Sequence, residues 1–406
     1  MQPKPADVVG RFDICARMRK IGLNEMHKPT QRDAVKTDFV AATDRYEAWL
    51  RSLVEIQQDE LDYKHVQMAA KDGAFPFFRG TYYRWAEIWP EFCVGCQSAP
   101  SVLAVGDLHV ENFGTWRDRE GRLVWGINDF DEVDDLPFTN DLVRLAASAS
   151  VGADKADFRL GLKQVCGAIL SGYVAQLKRG GQPFVLEEDH LQMRDLATHA
   201  DRDPVVFWKK LTAVLKDPPA HVSAEIETAL KRDLQGSVVS SEIRARRYVG
   251  MGSLGKPRYV ALANFMGAWV AREAKAVTPP ATAFLDSKRP NISRVTEVLS
   301  RAVRCADPIL RVDGKWIVRR LAPRCSRIEL ALLTRIEDET LMFESMGAET
   351  ANIHCGTPEA SEPILHWLES QDSEWLANAA RIMIDATCDD WKTWRKAHRD
   401  APTNSP

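Results

Sequence analysis

Val105-Gly106-Asp107-Leu108-His109-Val110-Glu111-Asn112, followed after a turn and a short strand by Ile127-Asn128-Asp129-Phe130-Asp131-Glu132, is the stretch on which the reading of this chain turns. An aspartate, an asparagine five residues on and a second aspartate behind an apolar strand are the residue types a phosphoryl-transfer centre requires. One carboxylate has to accept or orient the proton of an attacking hydroxyl, while an amide carbonyl and another carboxylate hold Mg²⁺ against the phosphates. The pattern predicts Asp107 as the catalytic carboxylate and Asn112 and Asp129 as metal ligands, with Asp131 a further candidate. A run of like charge is usually a solvated loop. Asp134 and Asp135 are therefore given no role. Asp129 differs because it follows the apolar strand Leu123–Ile127, and ligands gather at strand ends in α/β folds.

Gly250-Met251-Gly252-Ser253-Leu254-Gly255 is a G-x-G-x-x-G run. In a dinucleotide fold a helix opens directly behind such a run, so that its N-terminus meets the pyrophosphate. Here Pro257 and the β-prone Arg258-Tyr259-Val260-Ala261-Leu262 follow. Strand, glycine turn, strand is the form of a flap over nucleotide triphosphates. Glycines suit it because backbone N–H groups must approach phosphate oxygens with no Cβ between them. An ordinary glycine-rich hairpin is the plain alternative. The next strand, expected at Trp269–Ala274, adds weight, since a flap is followed by a strand whose cation pairs the phosphates. Arg272 and Lys275 both stay open as that cation: Arg272 has Val270 two residues before it on its own face, and Lys275 falls on the opposite face or just past the strand end. Glu297, in a helix expected at Ile292–Val303, is the candidate partner for it. A solvated, charged strand edge is the alternative reading here.

Around these motifs the first hundred residues read mostly as helix, notably Asp38–Gln58, with Phe75–Gly80 breaking the pattern before the aromatic-rich Thr81–Phe92. Ser101–Val105 and Arg122–Ile127 read as buried strands and Asn140–Ser150 as a helix. Helices are expected at Asp154–Leu177, Leu186–His199, Pro204–Leu215 and Ala220–Leu234. Strands are expected at Arg247–Val249, Arg258–Ala263, Ile309–Val312 and Trp316–Leu321. Helices return at Glu339–His354 and Glu362–Ala397, and the tail Ala401–Pro406 is expected to fray.

With 406 residues, two or three lobes are expected. A net charge of −3 gives no electrostatic case for nucleic-acid or membrane-surface binding, and no apolar run is long enough to span a bilayer. The first residues lack the apolar core of a secretory signal, which predicts a cytoplasmic protein with reduced thiols. Cys93 and Cys96 form a C-x-x-C pair without a second pair or a nearby histidine, the spacing of structural thiols rather than a zinc site. His109 is expected to stabilise its loop, because a single histidine makes a poor metal site. Arg79 either clamps a phosphate or acidic substrate or pairs a loop carboxylate. The twelve tryptophans read as packing.

The blocks Phe77–Tyr83, Gly106–Gly114, Asn128–Glu132, Asp141–Ser148 and Gly250–Gly255 together resemble the protein-kinase-like superfamily. They are most similar to its aminoglycoside-phosphotransferase branch, whose catalytic loop reads H-G-D-L-H-x-x-N before a strand ending in I-D-F. Within that group the chain looks like a bacterial family of uncharacterised kinase-like proteins. The resemblance implies a two-lobe fold using ATP and Mg²⁺. Asp107 would be the base or hydroxyl-orienting group, Asn112 and Asp129 the metal ligands, and Gly250, Gly252 and Gly255, with Ser253 between them, the phosphate flap. Asp141 would be the helix-start aspartate that buttresses the catalytic loop through backbone hydrogen bonds, and Arg272 would stand in the usual place of a lysine. The chain departs from the pattern twice. Val105 replaces a histidine that makes a structural hydrogen bond, and the flap follows the catalytic loop instead of preceding it. A circular permutation explains the order, with Trp316–Leu321 and Pro323 as hinge and Glu339–His354 as the helix that normally leads into the loop.

These readings predict an α+β, circularly permuted, protein-kinase-like two-lobe fold. A large helical lobe would comprise 1–100, the catalytic loop and metal strand at 101–152, 153–240 and 324–406, and a small, mostly antiparallel sheet lobe would span 241–323. The expected activity is transfer of a phosphoryl group from ATP to the hydroxyl of an acceptor whose identity the residues leave open, as they do the oligomeric state. A non-catalytic nucleotide-binding regulator, a metal-dependent phosphoester hydrolase and AMP transfer are the alternatives.

Overall fold

The computed structural model describes residues 38–152, 158–188, 190–198, 203–215, 222–234, 238–245, 248–325, 333 and 335–398. Parts of the expected helices from Asp154, to His199 and from Ala220, together with Arg247 of an expected strand and the tail Ala401–Pro406, lie outside the described residues.

The chain opens with four helices, α1 (Phe39–Leu53), α2 (Gln58–Ala69), α3 (Ala74–Gly80) and α4 (Tyr82–Phe92). Helix α3 occupies the segment expected to break the pattern. Pro76 lies in its first turn, where backbone N–H groups have no intrahelical acceptor, so the missing donor costs nothing. Strand β1 (Ser101–Ala104) pairs with β4 (Asp134–Pro137), and β2 (Phe113–Arg117) forms a hairpin with β3 (Leu123–Ile127), which also pairs with β5 (Phe184–Val185). Helices α5 (Thr139–Val151) and α6 (Leu162–Lys178) follow β4, and α7 (Leu191–Ala197) follows β5.

Next come α8 (Pro204–Val214), α9 (Ala224–Lys231), β6 (Val238–Ala245), β7 (Arg258–Phe265), β8 (Ala268–Ala276), α10 (Ala281–Leu285), α11 (Val295–Arg301), β9 (Arg311–Asp313) and β10 (Trp316–Leu321). The chain then returns to helix in α12 (Ile336–His354), α13 (Ser361–Glu369) and α14 (Trp375–Ala397). The single helix expected over Glu362–Ala397 is thus two helices.

Strands β6 to β10 make a five-stranded antiparallel sheet in the order β6-β7-β8-β10-β9. Its two faces are covered by different helices. Leu211 and Leu215, in and just behind α8, pack on Val260, Leu262, Ala271 and Leu321, whereas Ile226, Ala229 and Leu230 of α9 pack on Ile243, Ala261, Ala274 and Val318. The alternation of side chains along each strand produces both sets. The helices before the sheet therefore pack on it, although the sequence reading grouped them with the large helical lobe.

One continuous apolar core joins α1, α3, α4, α5, α6, α12 and α14, with Trp and Phe supplied by α1, α3, α4, α12 and α14. At its centre α6 and α12 approach at backbone contact. A Cβ on Gly172 would stand 1.8 Å from the Glu344 carbonyl oxygen, and one on Gly347 would stand 2.0 Å from that of Ile169. Only glycine fits at either place. Helix α12 is thereby drawn beneath the Val105–Asn112 loop, which decides the geometry of the site. Among the described residues no helix is long and apolar enough to cross a membrane.

Candidate functional site

The loop between β1 and β2 is fixed from below. Asp141, fully buried in the first turn of α5, accepts the Val105 N–H at 2.7 Å and the Gly106 N–H at 2.9 Å. His354, at the end of α12, adds its Nε2 at 3.1 Å and turns its Nδ1 to the Tyr173 hydroxyl at 2.7 Å. Where Val105 lacks an imidazole, a histidine distant in the chain thus reaches the same aspartate. Three residues along α5, Arg144 is 1% exposed and donates from Nε and Nη2 to Asp107 Oδ1 at 2.7 and 2.5 Å. Its guanidinium lies 4.1 Å from the Phe78 ring centroid, 4.8 Å from Trp85 and 4.9 Å from Tyr82, so it cannot swing away without emptying an aromatic cage. Burial pushes the Asp107 carboxyl up to about 6, against the opposing pull of Arg144 and Arg79.

The second acidic element is held from above. The β2–β3 hairpin delivers Asn128 so that its N–H bonds the Asn112 carbonyl at 3.0 Å, which brings the two halves of the motif together. Asp129 follows with 44% of its side chain exposed. Lys275 of β8 places Nζ 3.2 Å from Asp129 Oδ1 and 2.6 Å from Asp131 Oδ1. Burial alone would raise the Asp129 carboxyl, but Lys275 and Arg319 hold it well below the usual carboxylate range. The space bounded by Asn128–Asp131, Lys275, Ile317 and Arg319 measures only about 10 Å³, so the lysine fills the gap between sheet and acidic strand end.

The glycine turn closes the third side. Gly250 and Gly255 have φ of +76° and +91°. At Gly252 an added Cβ would stand 3.2 Å from the Arg79 carbonyl oxygen and 3.6 Å from Asp107 Oδ2, so the turn lies directly on the catalytic-loop aspartate. Ser253 Oγ receives Arg258 Nη2 at 2.5 Å, Arg258 Nη1 reaches the fully buried Glu273 at 2.7 Å, and Arg319 Nε meets the same carboxylate at 2.8 Å. This relay couples the turn to three strands of the sheet. The Ser253 hydroxyl is a strut of the turn, and the N–H groups of Ser253, Gly255 and Lys256 are bonded to the Gly250 carbonyl, Glu60 and the Ser253 carbonyl.

Other expected roles come out differently. Of the two candidate cations, Lys275 shares a strand face with Glu273 and meets the acidic pair. Arg272 alternates to the opposite face, opposite Ala261 and Arg320, with Nη1 on the Ala271 carbonyl at 3.0 Å. Glu297 pairs with Arg294 at 2.7 Å and Arg301 at 2.8 Å, so the structure gives the site cation carboxylates from the other lobe and not this helix. Arg79 pairs with Glu111 and lies 3.3 Å from His109 Nε2, the loop-carboxylate contact that was one of its two expected roles. His109 Nδ1 accepts the Glu111 N–H at 3.2 Å, a loop-stabilising contact.

The donor set fits Mg²⁺ in one specific way. Among the described residues no group of three or more His, Cys, Asp or Glu side chains is placed to cage a metal ion. A Mg²⁺ that serves phosphates needs only one or two carboxylates, because water and phosphate oxygens complete the octahedron. Asp129 and Asp131 supply that pair. Asn112 is engaged already, its Oδ1 accepting the His109 N–H at 2.6 Å, with a second lone pair remaining.

Sequence reasoning missed Arg144, His354, Lys64, Lys256 and Glu132. The signal for Arg144 was available: it stands three residues after Asp141, among Leu142, Leu145 and Ala146, on a helix buried on all sides. The buried Lys64 had no such signal, since α2 reads as a polar surface helix.

A family model described as an uncharacterized protein conserved in bacteria (DUF2252) matches residues 56–206, which include the loop, the acidic strand end and Asp141 but not the sheet. No curated protein and no solved structure matches the chain.

Proposed function

We propose that the protein is a Mg²⁺- and ATP-dependent phosphotransferase acting on a hydroxyl acceptor, built as a circularly permuted, kinase-like pair of lobes. The observation that carries this reading is the meeting of two distant segments. Lys275 Nζ lies on Asp129 and Asp131 while Gly252 lies against Asp107. The permutation is supported by chain order. The sheet follows the loop in sequence yet covers it, and the helix after the sheet, α12, ends on Asp141 through His354.

Each residue then has a stated task. Asp107 keeps Oδ1 on Arg144 and offers Oδ2 to the acceptor hydroxyl, whose proton it takes or orients. Lys275 exchanges its carboxylate partners for phosphate oxygens when the triphosphate enters, and the N–H groups of the glycine turn approach the same oxygens. Asp129 and Asp131, with Asn112, would hold Mg²⁺, which when bound neutralises charge on the phosphates. Catalysis of this kind is mostly placement and charge neutralisation.

The test is ADP release from Mg-ATP by purified protein, with a panel of hydroxyl acceptors. Asp129→Ala is expected to stay folded and lose about 100-fold or more in rate. Undiminished turnover in a soluble Asp129→Ala protein refutes the assignment, and pyrophosphate in place of ADP reassigns the reaction to AMP transfer. The engaged oxygen of Asn112 favours one rival, a nucleotide-binding regulator. Binding of Mg-ATP without release of any product identifies it.

A further inference from the structure

Helix α2 runs along the glycine turn. Glu60 accepts the Gly255 N–H at 3.3 Å, and the Gln57 N–H donates to the Gly255 carbonyl at 2.8 Å. Lys64 stands one helical turn beyond Glu60 on the same face. It is 5% exposed, and its Cε lies 3.0 Å from where a Cβ on Gly80 would be. The residue before Gly80 is Arg79, whose carbonyl faces Gly252, which in turn faces Asp107 Oδ2. The Lys64 ammonium therefore shares one small neighbourhood with the turn and the catalytic-loop aspartate. From the sheet side comes Lys256, 4% exposed, with Nζ on Thr278 Oγ1 at 2.7 Å.

Neither ammonium has a counter-ion at contact. Among the described residues no ion pair joins Lys64 or Lys256 to a carboxylate, and the Lys64 stem is buried while its Nζ is not fully enclosed. The carboxylates that act on Lys64 each have a closer partner: Glu47 in His65 at 2.6 Å and Arg51 at 3.8 Å, Glu132 in the Ala281 N–H at 2.6 Å, and Asp107 in Arg144 at 2.7 Å. Burial pushes Lys64 down to about 8, with Lys256 adding repulsion, so it still carries its proton at neutral pH. Two lysines whose stems are buried, whose charges repel and which have no anion at contact distance make a place that favours a negative group.

We propose that Lys64 and Lys256 form an anion subsite beside Asp107, apart from the Lys275 position, which holds the phosphate or carboxylate group of the hydroxyl acceptor. The proposal rests on the phosphotransferase reading and narrows its acceptors to acidic ones. A strictly internal role, in which distant carboxylates balance the lysines, makes the opposite prediction.

Thermal midpoints decide it, measured against inorganic phosphate in one arm and succinate in the other, with Mg-ATP run alongside. One of the two anions is expected to raise the midpoint of the wild type and of Lys64→Arg saturably, and to bind Lys64→Met at least about tenfold more weakly. Mg-ATP affinity should change by no more than about twofold in Lys64→Met. Methionine keeps the stem and removes the buried charge; should that protein fail to fold, Lys256→Met carries the same expectation. No response of the wild type to either anion overturns the proposal. So does a response that survives in Lys64→Met, or one lost only in Lys275→Met, which assigns the anion to the nucleotide position. Anion binding that depends on Lys64 without any Mg-ATP binding upholds the subsite and sinks the phosphotransferase reading instead.

Discussion

The loop around Asp107 and the strand end around Asp129 each present a carboxylate bound by a cation, and they are built in opposite ways. Asp107 is gripped from inside its own lobe by Arg144, itself 1% exposed and stacked among Phe78, Tyr82 and Trp85. Asp129 is reached from the sheet by Lys275, an ammonium on a flexible stem, and keeps 44% of its side chain in solvent. A planar guanidinium locked in aromatics is a fixed support, while a lysine ammonium that touches two carboxylates can change partners. Under the proposed reading, rigid placement suits Asp107 as a base and a releasable contact suits Asp129 as a ligand of an incoming metal and triphosphate.

The largest effect should therefore fall on stability at one end of the molecule and on ligand binding at the other. Arg144→Met removes the buried partner of Asp107 and the donor to the Phe78 carbonyl, and is expected to cost about 3 kcal/mol or more of unfolding free energy. Lys275→Met leaves Asp129, 44% exposed, and Asp131, 17% exposed, without their cation and should cost less, about 1–2 kcal/mol. Urea unfolding of the two variants measures both values. Equal losses would show that the two cations are supports of the same kind.

A smaller effect separates the regions by pH. Burial pushes Asp107 up to about 6, and it raises to about 7 both Glu132, three residues beyond Asp129, and Glu349, which accepts the Ile127 N–H of β3 at 3.2 Å. Carboxyls raised in the folded state bind protons more tightly than in the unfolded chain. Their contribution is full below the unfolded values near 4 and is lost as pH rises through 6 and 7. At the strand end Asp129 is held low, so its contribution is present at neutral pH and disappears only in strong acid. Unfolding free energy should decline between pH 5.5 and 8 by on the order of 1–3 kcal/mol, and Glu349→Gln should flatten that slope. A profile that rises over this interval contradicts the burial of these groups.

Much of this arrangement could be read from the chain, and the parts that could not share a cause. The loop and acidic strand end are contiguous segments with fixed spacing, and Asp141 heads a helix whose apolar pattern is unmistakable, so local reading sufficed. The choice between Arg272 and Lys275 hung on which strand face looks into the cleft. Alternation separates the faces but does not say which is which; the neighbours Arg258 and Ile317, one on each flanking strand, decide it. Glu297 was favoured by nearness in sequence, yet α11 turns it toward Arg294 and Arg301. Lys64 and His354 reach the site only through tertiary packing, the first across the glycine turn and the second through the glycine contact of α6 with α12. No local pattern distinguishes a lysine that will be buried from one that will be solvated.

Calorimetric titration of Mg-ATP into the wild type and Lys275→Met puts the convergence of glycine turn, lysine and acidic pair on trial. One equivalent should bind the wild type, only in the presence of Mg²⁺, and Lys275→Met should weaken it by about 10- to 100-fold, the worth of a charge-assisted phosphate contact. A wild type that takes up no nucleotide, or a variant that binds as tightly as the parent, would mean that Lys275 closes an internal salt bridge and nothing more.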